Sequence, residues 1–241
     1  MRVPETSDID VGTEPAAVGE FVRDAFRSLV MNPRFSCVAA KSAFRRDNYR
    51  HGVYGAMGCP ASPAALARDL ESFVADASTF KPGFRTFVAS FDDTTARDEK
   101  EFERALWRVL QSLHDIDRQS HEWDPTVSSD PADPEFSFSF AGTAFFLVGM
   151  HPTSSRMTRR FAWPTMVFNL HAQFEDLRRE GRYERMQHVI RERDVELQGS
   201  IHPNLADFGE RSEARQYAGR VTEEAWKCPF STRAPKRPRA K

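Results

Sequence analysis

The chain has 241 residues, with 34 Lys and Arg against 35 Asp and Glu and a formal net charge of −1. Near-neutrality argues against a nucleic-acid or membrane-surface protein, and the length suits one fairly large domain with a substantial core, or two small ones. Twenty phenylalanines stand against four tyrosines and four tryptophans; phenylalanine lines dry cavities without adding polar atoms, which favours a pocket for a flat apolar group beside the commoner use in core packing.

Residues 1–13 read as a flexible lead, acidic and broken by Pro and Gly, without the apolar segment of a secretory signal. A first amphipathic helix follows from about Glu14, with Pro15 near its start and Phe21, Val22, Ala25, Phe26, Leu29 and Val30 at helical spacing, ended by Asn32-Pro33. Residues 35–44, FSCVAAKSAF, are short and apolar and predict a core strand with Cys37 inside it. The basic stretch from Arg45 to Pro60 has no clear period and reads as a loop.

Ser62-Pro63 opens a second helix through Leu66, Leu70, Phe73 and Val74, and residues 85–91 (RTFVASF) predict a strand. Thr94 or Thr95 is expected to cap a third helix, with Phe102, Leu106, Val109, Leu110 and Leu113 on one face. Residues 119–134 form a long acidic, Pro-rich loop of the kind that is usually functional or mobile.

The organising stretch runs from Phe136 to His171. Phe136, Phe138 and Phe140 alternate with small residues, Gly142 interrupts, and residues 144–150 are the unbroken apolar run of a buried strand that stops at His151-Pro152. A loop with Arg156, Arg159 and Arg160 leads to a strand from Thr165 to Phe168, followed by Asn169 and His171. Two core strands thus each end near a histidine, with an arginine cluster between them.

Residues 173–198 are helical in pattern and divided or kinked at Gly181, a short helix starts at Ser212, and residues 231–241 form a basic, proline-broken tail expected to be disordered. Strands and helices not in strict alternation predict an α+β fold: a single domain over residues 14–230, with a mixed sheet of about four strands and four or more helices. No apolar run has the length of a membrane span. Cys37, Cys59 and Cys228 are odd in number, far apart and without C-x-x-C spacing, which excludes a zinc ribbon and argues for a reducing cytoplasm.

No phosphate-binding loop, GxGxxG, HExxH or G-x-S-x-G is present, so nucleotide and hydrolase chemistry lack support. What remains is a set of lone ligands. Cys37 is either a buried small hydrophobe or a thiolate for a haem iron, and Cys228, followed by Pro229, has the same two readings. His151 and His171 are hydrogen-bonded strand-end groups, axial ligands or residues that orient bound oxygen. Arg156, Arg159 and Arg160 are either a solvated face or a carboxylate clamp.

The blocks FSCVAAKSAF, YRHGVYGAMG, FSFSFAGTAFFLVGMHPTSSRMTRRF, MVFNLHAQFEDLRREGRYERMQHVIRERD, LQGSIHPNLADFGERSEARQYAGR and WKCPF, in that order from about Phe35 to Phe230, resemble the YqcI/YcgG family. Characterised members are haem-dependent hydroxylases of guanidino nitrogens, in the cycloserine and guanitoxin pathways. The resemblance therefore implies a monooxygenase with haem b and oxygen or peroxide, N-hydroxylating arginine or a related small molecule in specialised metabolism. An external electron donor is implied if oxygen is used.

By the same resemblance Cys37 is the first choice of axial ligand, ahead of His151 and then Cys228, with His151 and His171 as catalytic candidates. Arg156, Arg159 and Arg160 would hold propionates, Asn169 and Tyr217 would line the cofactor pocket, and Glu210, Glu213 and Asn204 would receive the substrate. His202, in Ile201-His202-Pro203-Asn204, departs from the family blocks and bears on substrate choice. A haem sensor or carrier without turnover, a cofactor-free interaction protein and a homodimer are the other expectations carried forward.

Overall fold

A computed structural model describes residues 15–92 and 97–232. Its centre is a five-stranded mixed sheet in the order β1-β2-β5-β4-β3. The strands are β1 (Tyr49–Tyr54), β2 (Thr86–Phe91), β3 (Phe138–Phe140), β4 (Thr143–Met150) and β5 (Thr165–Leu170). β1 and β2 run parallel and the other neighbours antiparallel. Seven helices surround the sheet among the described residues: α1 (Pro15–Met31), α2 (Val38–Arg45), α3 (Ala61–Ala75), α4 (Glu99–Asp117), α5 (His171–Arg179), α6 (Tyr183–Gln198) and α7 (Ala214–Tyr217). The fold is α+β.

Register sorts the strands onto two faces. Phe87 and Ala89 of β2, Met166 and Phe168 of β5, and Phe145 and Leu147 of β4 join α3, α4 and the C-terminal aromatics in one large core. Their neighbours Val88, Val167 and Val148, aligned across three strands, join α1 and α2 in a smaller cluster. The period-2 alternation of a strand makes this division automatic: adjacent residues must serve different faces. Gly149 of β4 sits where a Cβ would come within 2.7 Å of both Phe102 Cε1 and the Tyr217 carbonyl, so only glycine lets α4 pack this close.

Residues 35–44 are not a strand. Val38–Arg45 is helix α2, and the Cys37 sulfur caps it by accepting the Ala40 N–H at 3.4 Å. Ala39, Ala43 and Phe44 recur at the spacing of one helical face and are buried, while alanine and lysine are good helix formers; a ten-residue apolar run cannot by itself be assigned a period. The loop expected before α3 contains β1 instead. This edge strand is masked in sequence by Arg50, His51 and Gly52, none of which alternates with its neighbours in polarity.

Other boundaries follow from capping. Thr94 and Thr95 lie outside the described residues; α4 is capped by Asp98, whose carboxylate accepts the Glu101 N–H at 2.7 Å. β3 and β4 turn through Ala141 and Gly142 at φ 51° and 65°, the two left-handed residues of a tight hairpin. Gly181 separates α5 from α6 as expected. The acidic loop before β3 is pinned, not free: Asp124 accepts the Ala144 N–H at 2.8 Å, and its own N–H donates to Ser139 Oγ. The lead at 1–13 and most of the basic tail lie outside the described residues. No helix among the described residues is long and apolar enough to cross a membrane.

Candidate functional site

The smaller face of the sheet does not close completely. Between Phe146, Val148, Val167 and Asn169 of the sheet and the helices α1, α2, α5 and α6 lies a chamber of about 250 Å³. Phe26, Val30 and Phe44 supply apolar wall on one side, and Phe174 and Phe208 supply it on another. None of the residues of α6 is buried, although Met186, Gln187, Ile190, Arg191 and Asp194 line the chamber. Ligand pockets commonly measure roughly 300–1,000 Å³, so the chamber lies just under that range, with α6 as its most exposed wall.

Two polar clusters meet the chamber. The first gathers Cys37, Arg156, Arg159, Arg191, Asp194 and His202. Burial pushes the Cys37 thiol up from its ordinary value, while the Ala40 and Ala39 N–H groups at the start of α2 and the Arg159 charge pull it back. Arg159 donates to the Gly149 and Tyr217 carbonyls at 3.2 and 3.4 Å, and burial lowers its guanidinium to about 10, still charged at neutrality. Arg156 Nη2 reaches the Ser200 carbonyl at 2.6 Å and Asp194 Oδ2 at 3.4 Å. Even so, Arg156 Nε, Arg191 Nε and Asp194 Oδ1 are buried without a partner. Three orphaned polar atoms on one wall are costly in a finished core and suit a charged ligand.

His202 is fixed as a neutral ring by the network around it. Its Nδ1 accepts the Asn204 N–H at 3.1 Å and its Nε2 donates to the Gly219 carbonyl at 2.9 Å. Burial lowers its affinity for a proton, in keeping with that assignment.

The second cluster is built on Glu213, which opens the short helix α7 and is 7% exposed. Burial raises its carboxyl from 4.5 to about 7, against the Ser137 and Tyr217 hydrogen bonds that lower it. Ser137 Oγ donates to Glu213 Oε2 at 2.6 Å, and Tyr217 OH lies 3.4 Å from the same oxygen. His171, the first residue of α5, faces Phe208 and reaches Glu175 Oε1 at 3.4 Å. Arg178 pairs with Glu175 and lies over the Tyr183 ring. Asn169 holds the Phe146 carbonyl at 3.4 Å from the end of β5.

Of the sequence candidates, Cys37, Arg156, Arg159, Asn169, His171, His202 and Glu213 line the chamber together. The others are elsewhere. His151 stacks on Phe102 of α4 with centroids 4.3 Å apart, donates or accepts through Nδ1 with Thr153 Oγ1, and is lowered to about 4 by burial. Cys228 packs against the large core on the far face, its thiol pushed up to about 12 by burial. Arg160 is exposed and donates to the Ser154 carbonyl.

Tyr217 is enclosed in the large core and does not line the chamber, but it touches chamber residues: its hydroxyl lies near Glu213, its carbonyl accepts from Arg159 and its ring meets Phe146. Asn204 is buried as a brace, donating to the Arg215 and Arg220 carbonyls. Glu210 is exposed and caps Asp207. Cys59 is exposed as well. The chamber's other charged residues, Arg178, Arg191 and Asp194, sit in α5 and α6, where a run of alternating charges resembles any solvated helix and offered no signal.

The model of the YqcI/YcgG family matches residues 26–231, which include every residue named on the chamber wall. No curated protein and no solved structure matches the chain.

Proposed function

The chain belongs to the YqcI/YcgG family, and on that premise we propose that it is a haem-dependent N-hydroxylase of a small guanidino or amine compound. The observation that carries the reading is that one chamber joins Cys37, alone among the three cysteines, to the buried carboxyl of Glu213. The donor set fits the cofactor. A sulfur braced by a helix N-terminus would suit a thiolate ligand, the orphaned guanidinium atoms of Arg156 and Arg191 would suit propionate carboxylates, and the phenylalanine walls would suit a flat macrocycle. Bound haem supplies the oxidising power to place one oxygen atom in an N–H bond, and a thiolate ligand favours that chemistry.

The chain's own residues do the rest. Cys37 would hold the group through sulfur, with the Ala39 and Ala40 N–H groups and Arg159 favouring the thiolate against burial. Phe146, Phe174 and Phe208 exclude water. Glu213, when ionised, offers two oxygens to a forked cationic nitrogen group and so orients it. With oxygen, two electrons from an external donor and two protons are consumed and the second oxygen atom leaves as water; with peroxide, water also leaves but no donor is needed.

Protein supplied with haemin and reduced under carbon monoxide tests this. A red-shifted thiolate-type Soret band is expected, retained in Cys228→Ala and lost in Cys37→Ala. A protein that takes up no haem, or a Cys37→Ala variant with an unchanged band, sinks the reading. Haem uptake without any spectral response to guanidino compounds leaves a carrier or sensor instead.

A further inference from the structure

A line of polar groups drawn from distant parts of the chain, hydrogen-bonded from Glu213 to His171 and continued by an ion-pair contact to Glu175, leads from the chamber's carboxyl to the surface. Ser137 Oγ is 2.6 Å from Glu213 Oε2 and 3.4 Å from His171 Nδ1. His171 Nε2 is in turn 3.4 Å from Glu175 Oε1. Ser137, His171 and Glu213 are buried, whereas the Glu175 side chain is 40% exposed. We propose that Ser137 and His171 form a proton relay between Glu213 and Glu175, through which the chamber exchanges a proton with solvent. The inference deepens, and rests on, the reading of the chamber as a site for a cationic substrate.

Each member has the chemistry a relay needs. A hydroxyl donates and accepts at once, and a neutral imidazole carries one N–H and one lone pair. For a proton leaving the chamber, the Glu213 O–H bond breaks as an O–H bond forms on Ser137 Oγ. The serine's original proton passes to His171 Nδ1, the Nε2 proton passes to Glu175, and water takes it from there. Rotation of the hydroxyl and a change of imidazole tautomer reset the line. No electrons move.

Burial keeps His171 in the neutral form this requires and leaves Glu213 exchanging its proton near neutrality. The charged and titratable groups around the pair are Glu175 and Arg178 of α5, Tyr183 of α6, Tyr217 of α7, and Asp124 of the acidic loop. Tyr217 offers no second exit, because its hydroxyl is otherwise held by the Phe138 N–H and the Phe145 carbonyl inside the core. A cation entering beside Glu213 favours the ionised carboxyl and expels its proton, and the relay gives that proton a route.

The test follows the His171 imidazole by NMR through a pH titration of the protein without haem or substrate. Wild type is expected to show a second inflection, displaced by on the order of half a unit to one unit, that reports Glu213. The inflection should vanish in Glu213→Gln and Ser137→Ala and persist in Ser137→Thr. Identical His171 curves in wild type, Glu213→Gln and Ser137→Ala overturn the relay. Methylguanidinium mixed rapidly with the protein in a dye-buffered solution adds a rate: proton release is expected to slow by on the order of a hundredfold in Ser137→Ala, and an unchanged rate also counts against the relay. Failure of methylguanidinium to bind at all removes the substrate reading, while the titration still decides the relay.

Discussion

Phe145 and Phe146 are neighbours on β4, yet they belong to two different materials. Phe145 is fully buried among Phe168 and the α4 aromatics, in a core where ring meets ring. Phe146 is half-exposed and faces the chamber, whose wall carries Cys37, Glu213 and three orphaned polar atoms. The same contrast separates the two cysteine candidates and the two histidine candidates. Cys228 and His151 are spent on packing against the α4 side, while Cys37 and His171 meet the chamber. One face of the sheet is thus filled by ring packing, its orphaned atoms being neutral ring nitrogens of Trp107, His114, Trp123 and His151, and the other keeps a chamber whose orphaned atoms belong to charged side chains, as expected where a charged ligand completes the structure.

The sharpest way to break this comparison is to truncate both phenylalanines. Phe145→Ala should cost about 3–5 kcal/mol in urea unfolding, as a large cavity in a packed core does, and Phe146→Ala less than about half of that. Equal losses would mean that the chamber is ordinary core.

Titration gives the next largest effect. Glu213 holds its proton more tightly folded, at about 7, than unfolded, at 4.5, so its contribution is present below pH 4.5 and lost as pH rises through 7. The stability of Glu213→Gln relative to wild type should therefore rise by about 3 kcal/mol between pH 4.5 and pH 8. His151 on the packed side acts in the opposite sense: its folded value of about 4 lies below the ordinary 6.5, so its contribution is lost as pH falls below 6.5. Urea melts of both proteins across this range would settle it, and a Glu213→Gln difference that is flat with pH would remove the carboxyl's special status.

The helix caps should differ least. Asp98→Ala at α4 should cost about 1 kcal/mol, and Cys37→Ala at α2 less, because a thiol is a weak acceptor. Thermal melts of the two variants compare them directly, and a larger loss at Cys37 would give its sulfur a packing role beyond the cap.

Much of the architecture was legible because long amphipathic segments announce their period. α1, α3 and α4, the strands β2, β4 and β5, and the break at Gly181 stand where the spacing of apolar residues put them. Residues 35–44 and the β1 segment were not legible, since a short alanine-rich run fits either period and an edge strand carrying Arg50 and His51 shows none. In the site, Cys37 was marked by its sequence block and the arginines by their density. Arg191 and Asp194 were hidden in a helix charged all round, and Ser137 lay among phenylalanines as one more small strand residue.

The sequence by itself determined which segments alternate, which recur every three to four residues, and therefore an α+β chain with a phenylalanine-rich interior. It also determined the short list of residues able to do chemistry. Only the tertiary structure decided among them, because the face on which a side chain emerges depends on strand register and on which helices cover that face. Both are fixed by contacts between residues far apart in the chain: Val88, Val148 and Val167 must align before Cys37, His171 and Glu213 line one chamber. The same register of β4 sends His151, just past its end, to the other side.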